Sequence, residues 1–158
     1  MIQIGFTGTR KGMTPAQLAT VDLLLSSYAA KEKVHHFHHG DCFGADDEAD
    51  TIARQMGYIM HLYPSNGSLR ANCHLKQTVP LVSSYIDFPG HTLDRNRAIV
   101  DACEVLIAAP REAVEAPRGG TWFTVRYARS KGLHVLLCLP DGTVVDSKAQ
   151  VKDQLTLF

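Results

Sequence analysis

The sequence has 158 residues, of which 45% are hydrophobic, and this is enough to form the core of one globular domain. Its 16 basic and 16 acidic side chains cancel, so no overall field attracts the chain to nucleic acid or to an anionic membrane. No apolar run is long enough to span a bilayer, and the first twenty residues lack the pattern of a signal peptide. The four cysteines form no CxxC pair, which favours a reducing compartment. We therefore expect a cytoplasmic protein without membrane contact.

Apolar, β-rich runs alternate with runs of helical periodicity along the chain. Thr14 and Gln17 form a predicted capping box at the start of the first helix, and Asp46 is the predicted N-cap of the second. Two further helices are predicted over residues 92–103 and 121–131. The predicted strands, in chain order, are residues 1–8, 34–41, 58–63, 104–110 and 134–140.

This alternation predicts βαβ units and therefore a parallel sheet. We expect an α/β, Rossmann-like, doubly wound fold with about five mainly parallel strands and helices on both faces. Residues 1–145 are predicted to form this one domain, and residues 146–158 a flexible tail. Residues 65–91 are rich in Ser, Asn, Pro and Gly without a clear period. A loop of that length in a compact domain is usually functional or mobile.

Three glycine-bearing segments follow predicted strands, at residues 7–10, 40–46 and 110–120. Ligands of open parallel sheets bind at the carboxyl ends of the strands, where these segments meet. Gly119 and Gly120 lie between a strand and a helix, so the backbone can approach a ligand closely and the helix N-terminus can face it. The sequence therefore predicts a phosphate-binding site at this edge of the sheet.

The order and spacing of four motifs resemble the SLOG superfamily, a Rossmann-like group that contains the LOG nucleotide hydrolases and the DNA-processing protein A family. The resemblance covers residues 2 to about 140. The motifs are Gly5-Phe6-Thr7-Gly8-Thr9-Arg10, His39-Gly40-Asp41-Cys42-Phe43-Gly44-Ala45-Asp46, Arg95-Asn96-Arg97, and Gly119-Gly120-Thr121-Trp122-Phe123-Thr124.

The resemblance implies a pocket for a nucleotide or a nucleotide derivative, and a homodimer. Glycine amides and hydroxyls would hold phosphate, arginine forks would add charge, and carboxylates would accept hydrogen bonds from ribose. The ligand-binding residues that it implies are Gly8, Thr9, Arg10, Gly40, Asp41, Gly44, Asp46, Arg95, Asn96, Arg97, Pro110, Gly119, Gly120, Thr121 and Thr124.

One departure concerns catalysis. The hydrolytic LOG enzymes carry PGGxGTxxE, whereas this chain has no carboxylate across residues 124–127. Arg97, Glu115 and Asp46 are the predicted catalytic residues if the protein is an enzyme, with Glu112 and Asp41 as further carboxylates for the vacant acid–base role. Binding without hydrolysis is the favoured interpretation. A nucleotide N-glycosidase or phosphoribohydrolase, and a module that binds or processes DNA, are the alternatives.

The last five residues read Gln-Leu-Thr-Leu-Phe. They resemble the peptide with which bacterial replication and repair proteins dock onto the DNA sliding clamp. Such a tail offers apolar anchors to a preformed groove and gains its order on binding. The alternative is a terminal strand that packs on its own domain. The predicted partner-binding residues are Gln154, Leu155, Leu157 and Phe158.

Four histidines surround Phe37 in the second predicted strand. Successive side chains of a strand alternate between its faces, so His36 and His38 share one face while His35 and His39 share the other. They cannot all bind one metal ion, and zinc needs three or four well-placed ligands. We therefore expect no metal and no resident cofactor.

Overall fold

The computed structural model describes residues 1–65, 69–76, 84–85 and 91–149, with the backbone alone at 84–85. Its strands form a single sheet, which confirms the α/β, Rossmann-like class. The five predicted strands are all present, and two short strands are added to them. The strands are β1 (Ile2–Gly8), β2 (His35–His39), β3 (Ile59–Leu62), β4 (Ser84–Tyr85), β5 (Val105–Ala109), β6 (His134–Cys138) and β7 (Val144–Asp146).

The strand order is β4-β3-β2-β1-β5-β6-β7, and every pairing is parallel except that of β6 with β7. The chain builds the sheet outward in one direction from β1, then crosses back and builds outward from β5. β1 and β5 are therefore neighbours at the point where the order reverses, with Gly8 opposite Ala109. The crevice outside the carboxyl ends of two such strands is the expected ligand site of this topology.

Helices cover both faces of the sheet. The first core contains Val21 and Ala49, packed with Phe6 and Phe37 of the sheet. The second contains Val100, Trp122, Val125 and Ala128, packed on β5 and β6. The helices are α1 (Pro15–Lys31), α2 (Ala45–Gln55), α3 (Thr92–Asp101) and α4 (Gly120–Ser130).

Local signals set the start of α1 as predicted. Thr14 Oγ1 accepts a hydrogen bond from the Gln17 amide at 3.1 Å, and the Gln17 side chain accepts one from the Thr14 amide at 3.0 Å. The Gln17 amide nitrogen, Nε2, also donates to the buried carbonyls of Pro110 and Cys138. The capping box therefore fixes α1 against the carboxyl ends of β5 and β6.

The predicted N-cap of α2 is wrong. The helix begins at Ala45 with Gly44 as its N-cap, and Asp46 lies in its first turn. Gly44 has φ of +83°, a conformation that a residue with a Cβ atom rarely adopts. The Ala45 amide donates to the Thr9 carbonyl at 3.0 Å, so the entry into α2 is set by a contact with the loop after β1.

Two predicted regions extend past the described residues. Within the long segment 65–91, the described parts contain a 3₁₀ turn at Cys73–Leu75 and strand β4. At the other end β7 reaches Asp146, whose carboxylate contacts His134 Nε2 at 2.8 Å. The clamp-type motif at residues 154–158 lies outside the described residues. No helix in the described ranges has the length and apolar character that a membrane span requires.

Candidate phosphate-binding cleft

A cleft of about 320 Å³ opens at the carboxyl ends of β1 and β5. This volume is at the lower end of the range for small-molecule sites. The residues that line it come from all three glycine-bearing segments and from α3. They are Phe6, Thr7, Gly8, Thr9, Arg10, Lys11, Gly40, Cys42, Asp46, Thr92, Arg95, Asn96, Ile99, Arg111, Glu112, Arg118, Gly119, Gly120, Thr121 and Trp122.

The N-terminus of α4 forms one wall of the cleft. Its N-cap, Gly119, has φ of +109° and no side chain that could cap the helix. The first main-chain bond of the helix runs from the Phe123 amide to the Gly119 carbonyl, at 3.0 Å. The amides of Gly120, Thr121 and Trp122 therefore have no acceptor within the helix, and they carry the positive end of its dipole. This wall suits an anionic group.

Four cationic side chains lie around this wall, on Arg10, Lys11, Arg111 and Arg118. All four residues are exposed. In the part of the chain that the structure describes, no carboxylate lies within 4.0 Å of their charged nitrogens. The nearby Glu112 instead accepts a hydrogen bond from Trp122 Nε1 at 3.0 Å.

Arg95 also lines the cleft, but its donors are directed at the protein. Its guanidinium donates to the main-chain oxygens of Gly40 and Tyr63, at 2.6 and 2.8 Å, and to Asn96 Oδ1 at 2.7 Å. Arg95 is almost fully buried. It therefore joins the ends of β2 and β3 to α3. Its buried positive charge also adds to the positive electrostatic potential of the cleft.

Asp46 is a buried carboxylate that lines the cleft. Its side chain accepts a hydrogen bond from the Cys42 amide at 3.3 Å. Burial raises the pKa of Asp46, against the opposing influence of His39 and Arg95. A buried carboxyl with a raised pKa is suited to acid–base chemistry, but this one also stabilises the turn between β2 and α2.

Ten of the fifteen predicted ligand-binding residues line the cleft. These ten are Gly8, Thr9, Arg10, Gly40, Asp46, Arg95, Asn96, Gly119, Gly120 and Thr121. Three of the other five serve the backbone near its edge: Gly44 caps α2, the Pro110 carbonyl accepts from Gln17, and the Thr124 hydroxyl donates to the Gly120 carbonyl at 2.7 Å.

Asp41 does not line the cleft. It is fully buried with φ of +55°, and its Oδ1 accepts a hydrogen bond from the Cys73 amide at 2.8 Å. Its main-chain oxygen accepts from the Ala71 amide, also at 2.8 Å. Asp41 therefore fastens the described segment 69–76 to the end of β2, behind the cleft.

Arg97 and Glu115 lie outside the cleft as well. Arg97 pairs with Asp94 at 2.6 Å, and its guanidinium is 4.9 Å from the ring centroid of Phe123 in α4. Glu115 pairs with Arg129 at 3.0 Å. Of the three residues predicted for catalysis, Asp46 alone is placed at the cleft.

The sequence prediction missed several lining residues, in particular Lys11, Cys42, Arg111 and Arg118. A signal for three of them was present in the sequence. Lys11 follows Arg10 directly, and Arg111 and Arg118 lie at the two ends of the segment that precedes Gly119. Exposed cations beside a phosphate loop are candidates for ligand contact. Cys42 had no such signal, because its position follows from the turn that Asp46 and Arg95 hold.

A second polar cluster lies buried beside the cleft. Ligand atoms of His39, Asp50 and Cys73 lie within 4.8 Å of one another. The Asp50 carboxylate already contacts Arg54 and Lys76, at 2.6 and 3.0 Å, and accepts a hydrogen bond from His39 Nε2 at 2.7 Å. Burial also raises the pKa of the Cys73 thiol. Since two cations already balance the carboxylate and the thiol is held protonated, this cluster fits an internal ion network and not a metal centre.

No protein-family profile and no curated protein matches the sequence significantly. Solved structures do match the fold. A molybdenum cofactor binding protein from the phototrophic bacterium Rippkaea orientalis superposes with a TM-score of 0.63 at 20% identity, over 97% of this chain and 80% of that one. The Moco carrier protein from Chlamydomonas reinhardtii gives a TM-score of 0.61 at 18% identity, over 98% of both chains.

DNA processing protein A from Streptococcus pneumoniae gives a TM-score of 0.64 at 18% identity, over 87% of this chain and 50% of that one. This chain has the fold that these three proteins share. The resemblance to the DNA-processing protein A group is thus confirmed at the level of the fold. Identities this low leave ligand and activity to be argued from the site.

Proposed function

We propose that the protein binds a nucleotide or nucleotide-derived ligand through its phosphate in the cleft at the ends of β1 and β5. The observation that carries the proposal is the placement of the α4 N-terminus beside four cations that have no carboxylate partner among the described residues. Amides at a helix start and arginine forks are the groups that recognise phosphate in proteins. The apolar surfaces of Phe6, Ile99 and Trp122 leave room for the rest of the ligand.

Replacing Gly120 by alanine tests the proposal. A Cβ atom there meets only Asn96 Nδ2, at 3.5 Å, so the fold accommodates it, but it occupies the space a phosphate needs. We expect the free energy of unfolding to change by less than about 0.5 kcal/mol. Calorimetric titration with nucleoside mono- and diphosphates should show affinity reduced by about tenfold or more. Ser130→Ala, at the exposed end of α4, is the control. Unchanged affinity of Gly120→Ala would reject the proposed site.

Hydrolysis of an N-glycosidic bond is the second function considered, and Asp46 favours it as a buried carboxyl of raised pKa in the cleft. The proposal of binding alone predicts that incubation with nucleoside monophosphates and NAD releases no base. Sustained release that Asp46→Asn abolishes, while that variant still binds nucleotide, would establish the enzymatic function instead.

The molybdenum cofactor belongs in the same titrations. Both the Rippkaea protein and the Chlamydomonas carrier are named for this cofactor, and the Chlamydomonas carrier and this chain cover each other almost completely. If the molybdenum cofactor binds more tightly than every nucleotide, the proposed ligand class is wrong. The cleft would still stand as the binding site. A gel shift across salt concentrations tests DNA as a partner, for which steep salt dependence is expected.

We also propose that residues 154–158 recruit the protein to the bacterial sliding clamp. The match to the five-residue pattern supports this, with Leu155, Leu157 and Phe158 as anchors. Size-exclusion chromatography should show co-elution of the full chain with a clamp. Phe158→Ala should abolish it, whereas Thr156→Ser, at the variable position, should preserve it. A full-length chain that never co-elutes with clamps would end this proposal.

The homodimer implied by the resemblance remains a prediction. A ring-shaped clamp offers several identical grooves, so two tails on one dimer would raise the apparent affinity through effective concentration. Light scattering of the purified chain measures its mass directly. A mass near the 17.4 kDa of one chain would contradict the dimer.

A further inference from the structure

The excess positive charge of the residues that line the cleft is larger than the charge of one phosphate group. Among the residues that the structure describes, five basic ones line the cleft, namely Arg10, Lys11, Arg95, Arg111 and Arg118, against the two carboxylates of Asp46 and Glu112. Asp46 lies beside buried Arg95, and each lowers the cost of burying the other. Within the described ranges, the four exposed cations therefore share the cleft with one remaining carboxylate, that of Glu112, which accepts a hydrogen bond from Trp122 Nε1.

These four cations come from two neighbouring loops. Arg10 and Lys11 follow β1, and Arg111 and Arg118 belong to the segment after β5. The Thr9 amide donates to the Ala109 carbonyl at 3.0 Å, which holds the starts of the two loops side by side. Like charges gathered in this way repel one another, so an anion that contacts both groups is bound more strongly than one that contacts either.

The α4 amides and Arg118, which directly precedes the N-cap Gly119, are placed to hold one phosphate group. The Arg10–Lys11 pair lies on the other loop, where it is placed to contact a second anionic group. From this distribution we infer that the cleft takes a ligand with at least two linked phosphate groups, that is, a nucleoside diphosphate or a related pyrophosphate compound. The inference rests on the proposed function and specifies the chemical class of its ligand.

Competition among AMP, ADP, inorganic phosphate and pyrophosphate tests the inference by calorimetry at low ionic strength. We expect ADP to bind about tenfold or more tightly than AMP, and pyrophosphate more tightly than phosphate, because the second group pairs with the second loop. Arg10→Gln and Lys11→Gln should each weaken ADP by about fivefold or more and weaken AMP by a clearly smaller factor. Lys131→Gln, an exposed cation at the far end of α4, is the matched control, and circular dichroism confirms that each variant is folded.

The outcomes separate the two claims. Equal affinities for AMP and ADP, or equal losses for both ligands in Arg10→Gln, would overturn the diphosphate inference while the nucleotide site stands. Failure of all four probes to bind the wild-type chain would overturn the proposed function and this inference together.

Discussion

Arg95 and Arg118 both line the cleft, but their hydrogen bonds give them different roles. Arg95 is buried and donates to Gly40, Tyr63 and Asn96 of its own chain, whereas Arg118 is exposed and has no carboxylate partner in the described residues. A buried guanidinium that loses its acceptors destabilises the fold strongly. An exposed one can be removed at small cost to stability. Of the two, Arg118 is therefore the suitable place to probe binding.

Gly44 is the residue whose replacement should most disturb the site through the backbone. It has φ of +83°, and a Cβ atom there would overlap the main-chain oxygen of Arg10. Gly57 has nearly the same φ, +79°, but nothing lies within 4 Å of its would-be Cβ. Gly57→Ala should therefore cost about 1 kcal/mol of backbone strain, and Gly44→Ala about 2–4 kcal/mol. Urea denaturation measures both, and equal losses would contradict the overlap.

At the scale of elements, β2 and β3 carry an unusual run of histidines on the face shared with Gln3. His38 Nε2 donates to Gln3 Oε1 at 2.6 Å and Nδ1 accepts from the Tyr63 hydroxyl at 2.9 Å. The rings of His38 and His61 stack with centroids 4.3 Å apart, and His36 contacts His61 at 2.8 Å. One ring nitrogen of His38 donates and the other accepts in this arrangement, which suits a neutral ring.

Burial, reinforced by the neighbouring His61, His36 and His39, lowers the pKa of His38 from 6.5 to about 3. The unfolded chain therefore binds a proton that the folded chain does not, and stability falls as pH falls below about 6.5. We expect the free energy of unfolding to drop by up to about 1.4 kcal/mol per pH unit from this group. His38→Gln should flatten the dependence between pH 7 and 5. Parallel curves for His38→Gln and wild type would contradict this assignment.

The elements that sequence predicted are those with a strong local signal. The capping box of Thr14 and Gln17 needs only four consecutive residues, and four of the five longer strands are apolar enough to stand out, whereas β2 contains a single apolar residue, Phe37. Strands β4 and β7 have two and three residues, too few for a period, and their pairing depends on sheet edges formed elsewhere. Asp46 failed as an N-cap because the Thr9 carbonyl, distant in sequence, fixes where α2 begins.

At the scale of the whole molecule, the topology explains why the sequence predicted the position of the site but not which residues face it. Strand order brings Gly8 and Gly119 to one crevice, and glycine positions are visible in sequence. Whether an arginine faces that crevice depends on pairing across elements. Arg97 lies one residue from Asn96, but it contacts Asp94 and the Phe123 ring of α4 instead of lining the cleft.

The cleft and the clamp-type motif should work independently in the intact chain. All lining residues identified within the described ranges fall between Phe6 and Trp122, and the core clusters end at Val145. Deleting residues 154–158 should therefore leave the melting temperature within about 2 °C and the affinity for nucleotide within about twofold, while clamp co-elution is lost. Calorimetry and thermal denaturation of the shortened chain measure both. A fall in melting temperature of about 5 °C or more would show instead that these residues pack on their own domain, because loss of apolar burial costs stability whether or not a clamp is present.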